Sequence, residues 1–210
     1  MVEDHGGRLH RLTRCRYYGH VDIQPLRIAG AWRITPQIFG DRRGSFSEWF
    51  RADHLEAATG FRLNPIQANI SRSSRGVVRG IHYADLPPGQ AKYVMPLTGS
   101  IIDFVVDIRE GSPTFGEWEG LTLESASHDA VLIEPGLGHA FIALDDHTTV
   151  TYLVSDIFRP DREHGINPLD SDIALTFPAG IEPVLSDKDT SAPTLADALA
   201  AGSLPKWAGR

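Results

Sequence analysis

The chain reads as all-β, a sandwich or barrel with a few short flanking helices. From residue 23 to about 177 it consists of runs of four to eight residues rich in Val, Ile, Thr and aromatics, bounded by Gly, Pro, Asp or Ser. No long stretch with helical period lies between these runs, so crossover helices of a βαβ fold are missing. Turn residues are abundant: Gly 20 and Pro 14 in 210 residues exceed their usual combined share of about 12%. Many short strands with frequent turns are the pattern of a β-sandwich or barrel.

The elements follow in order. Strands are predicted over 33–39, 45–50, 65–71, 77–83, 91–97, 100–108, 117–124, 130–134, 139–144 and 149–155, where β-branched and aromatic residues dominate. A helix is predicted over 52–59 (ADHLEAAT) and stops at Gly60. A second spans 194–201, with Thr194 as N-cap and Gly202 as the stop. Around an Asp146–His147 turn, a hairpin would set Phe141 opposite Tyr152 and Ala143 opposite Val150. Alternation then puts His139, Phe141, Ala143, Val150, Tyr152 and Val154 on one face. Residues 1–22 differ: they are rich in Arg and His without a period, and are expected to be a disordered extension, with a basic anchoring arm as the alternative. The remaining 23–207 is expected to be a single domain.

Several function classes are excluded by composition. A net charge of −7 argues against nucleic-acid binding, which needs a basic face. It leaves room for an anionic small ligand met by a local cluster of Arg and Lys. One cysteine, Cys15, rules out a disulfide framework or a multi-cysteine zinc site. No apolar run approaches a membrane span. The basic N-terminus has no apolar stretch after it, so a cytoplasmic location is expected. No phosphate loop, dinucleotide-binding glycine pattern or G-x-S-x-G occurs.

The candidate chemistry lies on the strands. In VVRGIHY, alternation puts Val78, Gly80 and His82 on one face and Arg79, Ile81 and Tyr83 on the other. In AKYVMPL, Lys92 shares a face with Val94 and Pro96. An ionisable group on an inward face is costly unless paired. A His with a Lys suits proton abstraction beside a carbonyl, the imidazole taking the proton and the ammonium supporting the enolate. A satisfied core histidine and a lysine reaching solvent fit the same spacing. Arg43, Phe46 and Glu48 surround a glycine turn, Gln67 and Asn69 share a strand face, and Arg79 could meet phosphate. A set of surface ion pairs fits these too. Metal binding is not expected, because no second His or carboxylate stands two places from His82 and His139 alone completes no site.

Taken together, FGDRRGSFSEWF, QANISRSSRGVVRGIHY, PPGQAKYV, VVDIREGSPTFGEW, GLGHAF, TYLVSDIF, REHGINPLD and LSDKDTSAPTL strongly resemble the dTDP-4-dehydrorhamnose 3,5-epimerase family. The likeness runs from about Ile23 to Trp207. It implies a cupin-type jelly-roll β-barrel without metal, a homodimer, no cofactor, and dTDP-4-keto-6-deoxy-D-glucose as substrate. By the same resemblance His82 is the base, Asp189 its carboxylate partner, Lys92 the enolate support and Tyr152 the proton donor. His139, Gln67, Asn69, Glu163 and Lys188 become ligand contacts and Arg79 a phosphate contact. Arg43, Phe46 and Glu48 belong to a segment that, in the family, reaches the nucleotide from the partner subunit. One departure stands out: many members carry a Tyr six residues after the donor, where this chain has Phe158. Several motifs also resemble actinobacterial epimerases of natural-product deoxysugars, some of which invert one centre. The expected activity is inversion at carbon 3 and/or carbon 5. Its rivals are a carbon-3 epimerase, a sugar-nucleotide ketoisomerase on the same barrel, and a non-catalytic sugar-nucleotide-binding barrel.

Overall fold

The computed structural model describes residues 21–209. The expected extension therefore lies, up to residue 20, outside the described residues, and so does Cys15. In chain order the elements are β1 (Asp22–Pro25), β2 (Ala31–Thr35), β3 (Phe39–Asp41), β4 (Gly44–Phe46), α1 (Ala52–Thr59), β5 (Gln67–Ser73), β6 (Val78–Ala84) and β7 (Lys92–Thr98). They continue with β8 (Ser100–Val106), β9 (Trp118–Glu124), β10 (Ala130–Ile133), β11 (Gly138–Ala143), β12 (Thr148–Val154), β13 (Glu163–Gly165), α2 (Asp187–Thr190) and α3 (Leu195–Ala200). Among the described residues, no helix is long and apolar enough to cross a membrane.

Two antiparallel sheets form a cupin-like jelly roll. One has six strands in the order β1-β2-β10-β7-β12-β5, the other five in the order β13-β6-β11-β8-β9. From β5 to β8, and again from β9 to β12, successive strands alternate between the sheets. A hairpin of β3 and β4 stands apart as a two-stranded ribbon, with Phe39 opposite Phe46.

Apolar residues occupy three layers. Between the sheets pack Val94, Ile101, Val105, Val131, Ile133, Phe141 and Val150. Behind the five-stranded sheet, Ile81, Phe104 and Ile142 are covered by Ile166, Ile173, Leu195 and Leu204 from the C-terminal segment. Behind the six-stranded sheet, Leu55 of α1 and Leu63 cover Tyr93, Met95 and Leu132. Burying each such side chain contributes roughly 1.5–3 kcal/mol, and this holds a C-terminal segment of little regular structure against its sheet. Covering on both faces also explains why β11 is buried at all six positions instead of alternating.

Most predicted elements form, with local differences. The expected 33–39 strand is divided, β2 ending at Thr35 before Pro36, which has no N–H to continue a ladder. The expected 45–50 strand ends at Phe46. Trp49 and Phe50 instead pack against Tyr93, with ring centroids 5.8 and 5.4 Å away. Both expected helices are present: Gly60 closes α1 in a left-handed conformation and the Thr194 hydroxyl caps α3 by accepting from the Asp197 N–H. β1, β13 and α2 were not predicted, being too short to show a period.

The expected hairpin between 139–144 and 149–155 does not form. β11 pairs with β6 and β8, whereas β12 pairs with β5 and β7. The chain crosses from one sheet to the other at this turn, so Phe141 and Val150 meet through the interior and not along a ladder. Their shared inward direction follows from alternation; the pairing depended on a fold-back that the jelly roll replaces.

The strict alternation expected for 77–83 also fails, for a reason that shapes the site. His82 pairs with His139 and Arg79 with Phe141, so Gly80 and Ile81 together face the single residue Ala140. Such a bulge shifts the side-chain phase by one, and both Arg79 and His82 face the cleft. Glycine is required there: φ is +122° and a Cβ would stand 2.4 Å from the His139 carbonyl oxygen and 2.5 Å from Ala140 Cα. Gly80→Ala is expected to destabilise the fold by about 3 kcal/mol. Urea unfolding with an unchanged midpoint would contradict this account of the bulge.

Candidate active site

A cleft of about 560 Å³ opens between the two sheets. Strands of both sheets supply its walls: Gln67 and Asn69 from β5, Arg79 and His82 from β6, Lys92 from β7, His139 from β11 and Tyr152 from β12. Glu163 enters from β13, and Lys188 and Asp189 from α2. These are candidate residues from seven separate stretches of sequence, gathered on one surface.

The His82–Asp189 pair is the best-defined geometry. Nε2 of His82 lies 2.7 Å from Oδ1 of Asp189. The imidazole is about one-third exposed, whereas the carboxylate is buried. Ser186 caps α2 and fixes the acid: its hydroxyl donates to Asp189 Oδ2 at 2.9 Å and accepts from the Asp189 N–H at 3.1 Å. Burial opposes the charge on Asp189, but hydrogen bonds from His82 and Ser186, with the nearby Lys188, outweigh it and hold the carboxyl below its ordinary range. With Nε2 bonded to a carboxylate, Nδ1 is the ring nitrogen left for a substrate proton, and the acid stabilises the imidazolium that results.

Lys92 faces the same cleft, its Nζ donating to Gln90 Oε1. Burial pulls the ammonium down to about 8, partly countered by the charge of Glu163. Tyr152 sits in register between Asn69 on β5 and Val94 on β7. Burial raises its phenol; Arg79 draws it down and Glu163 pushes it up, leaving it above its ordinary value. A phenol that keeps its proton is a competent acid towards a carbanion or enolate. Arg79 donates through Nε to Ser73 Oγ at 3.1 Å and through Nη2 to Arg72 O at 3.4 Å. That arrangement aims the guanidinium and leaves Nη1 for an anionic ligand.

The polar wall is similarly ordered. Gln67 donates to Asn69 Oδ1 at 2.8 Å and accepts from the Phe158 N–H at 3.1 Å. Phe158 also lines the cleft. His139 is nearly buried, with Nε2 2.7 Å from Asp103 Oδ2. Arg43, Phe46 and Glu48 are not brought to this cleft. They line a separate hollow of about 330 Å³ beside the β3–β4 ribbon, where Arg43 bonds Asp41. Phe46 is 68% exposed there.

Reading by sequence missed several groups. Asp103 is fully buried, with Oδ1 unpaired; a lone acid in the apolar run SIIDFVV was the available sign. Ser71 lines the cleft with a buried, unpaired hydroxyl, and nothing in its spacing marks it. Ser186 stands three residues before Asp189, the spacing of a helix cap. Gln90 was visible only as part of the motif carrying Lys92.

A carboxylate-held imidazole, an amine and a phenol lining one cleft of a β-barrel define a proton-transfer site suited to carbon acids. Residues 25–197 match the family model described as dTDP-4-dehydrorhamnose 3,5-epimerase. The chain belongs to that family. It is 50% identical over 183 residues to the dTDP-4-dehydrorhamnose 3,5-epimerase of Mycolicibacterium smegmatis, covering 87% of this chain and 90% of that one. Among solved structures, NovW, a 4-keto-6-deoxy sugar epimerase of Streptomyces spheroides, superposes with a TM-score of 0.87 at 48% identity, covering 90% of this chain and 94% of the other. ChmJ, a 3'-monoepimerase from Streptomyces bikiniensis solved with dTDP-quinovose, gives 0.85 at 48% identity, covering 87% and 92%.

Proposed function

We propose that this chain is an epimerase of dTDP-4-keto-6-deoxy-D-glucose, inverting carbon 3, carbon 5 or both in deoxysugar biosynthesis. The observation that carries the reading is the His82–Asp189 pair in one cleft with Lys92 and Tyr152. The carbon-4 ketone acidifies the hydrogens on its neighbours. His82 takes one as a proton, and the electron pair of the broken C–H bond moves to the ketone oxygen. Lys92 supports the enolate oxygen. Tyr152 then gives a proton to the opposite face of the carbon, the ketone re-forms and the centre is inverted. Solvent restores the phenol and deprotonates the imidazolium. The ketone is the electron sink, so this route calls for no cofactor.

In this reading Arg79 and Lys188 hold the diphosphate, while Gln67, Asn69, His139 and Glu163 orient the sugar and base. Residues 23–207 act as one catalytic unit. Arg43, Phe46 and Glu48 serve the site of a second subunit in a homodimer, a role supported by their exposure on a projecting ribbon and their distance from this chain's own cleft. Nucleic acid and membrane have no part in this reading, and the reaction belongs in the cytoplasm, where nucleotide sugars are made.

Single inversion at carbon 3 is the second reading. It is favoured by Phe158, which supplies an apolar ring and no hydroxyl to the cleft wall. Proton NMR of the reaction in deuterated water separates the two. Deuterium at carbons 3 and 5 with both configurations changed supports double inversion, and deuterium at carbon 3 alone supports the second reading. No exchange at either carbon would overturn both.

A further inference from the structure

We infer that Gln90 is a positioning residue for Lys92, a clamp whose neutral amide oxygen holds the lysine's Nζ while its amide nitrogen holds Glu163. Lys92 opens β7, and Gln90 lies two residues before it. Lys92 Nζ donates to Gln90 Oε1. On the other side, Gln90 Nε2 donates to the Asp156 carbonyl at 3.2 Å and to Glu163 Oε1 at 3.3 Å. An ammonium can only donate, and a carbonyl and a carboxylate accept, so one orientation of the amide satisfies all three partners. The clamp ties the turn before β7 to the segment after β12 and to β13.

Its chemical consequence lies in what touches the ammonium. Glu163 is close enough to act on Lys92 through its charge, yet the group in contact with Nζ is uncharged. The other ionisable groups lining this cleft are His82 and Arg79 on β6, His139 on β11, Tyr152 on β12, and Lys188 and Asp189 on α2. On the neighbouring strands Lys92 stands in register with Ile133 of β10 and Val154 of β12, both apolar. A partly buried ammonium held by a neutral acceptor loses its proton more readily than one paired with a carboxylate. Gln90 thereby sets the pH at which Lys92 discharges, and its replacement should move that pH in a direction dictated by the new group.

The chain contains three lysines, Lys92, Lys188 and Lys206, so protein labelled with carbon-13 at lysine Cε gives a simple titration by NMR. The Lys92 signal is the one missing from Lys92→Arg. Gln90→Met removes the acceptor, and the Lys92 midpoint is expected to fall by about one pH unit. Gln90→Glu puts an anion in contact, and the midpoint should rise by about one pH unit. Unchanged midpoints in both variants, or shifts of the same sign, would overturn the clamp. The inference rests on the proposed reaction only for its effect on turnover, and a second readout keeps the two apart. The basic limb of the kcat/KM profile should follow the NMR midpoint, with Gln90→Met losing about fivefold more than the wild type between pH 7 and 9. Midpoints that move as expected under a fixed basic limb would support the clamp and overturn the role of Lys92 in turnover.

Discussion

His82→Ala is expected to abolish exchange of the substrate's carbon-bound hydrogens with deuterated water. The reason is geometric. Asp189 is held by Ser186 and by its own short helix, and it meets the imidazole at 2.7 Å. Without the imidazole the cleft keeps a carboxylate, but that acid is buried, hydrogen-bonded to Ser186 and set back from the substrate by the length of the missing ring, which makes it a poor substitute. A positioned general base contributes about 10²- to 10⁴-fold, so turnover should fall by at least that lower figure while the fold stays intact. Exchange measured by NMR, with circular dichroism as the control for folding, tests this. Exchange at the wild-type rate would remove His82 from the mechanism.

Tyr152→Phe should separate the two halves of the reaction. The aromatic ring keeps its place between β5 and β7, so binding and the removal of the first hydrogen should persist. Delivery of a proton to the opposite face should not. Deuterium is expected to enter the substrate with retained configuration, while net inversion falls by about 10²- to 10⁴-fold. The phenol's raised pKa, caused first by burial, keeps it protonated across the neutral range, so this loss should be insensitive to pH there. Inversion at the wild-type rate in Tyr152→Phe would show that another acid serves that face.

Much of the architecture was legible from residues alone because strands carry a period of two and turns carry glycine and proline. What escaped were features set by tertiary context. The pairing of 139–144 with 149–155 failed because a local turn cannot reveal whether the chain folds back or changes sheet. The phase of Arg79 relative to His82 failed because one bulged glycine cancels the alternation, and Gly80 reads like any other glycine until its neighbours are known. The site shows the same division. His82 and Lys92 stood out as ionisable groups among apolar neighbours. Asp189 could be linked to His82 only through resemblance, since 107 residues separate them and no spacing rule spans that distance. Gln90 and Ser186 escaped because they act through other side chains, and a role of that kind is expressed in contacts.

The docking of the C-terminal segment behind the five-stranded sheet has a consequence for the protein's birth. His82 leaves the ribosome well before the acid that completes it. At roughly 5–20 residues per second, the 107-residue gap is a wait of about 5–20 s. The strands from β7 to β12, which complete the walls of the cleft, can be made during that interval, but His82 has no carboxylate partner until α2 emerges. On the proposed mechanism, a nascent chain is therefore expected to stay silent towards keto sugars until α2 has emerged and settled beside His82.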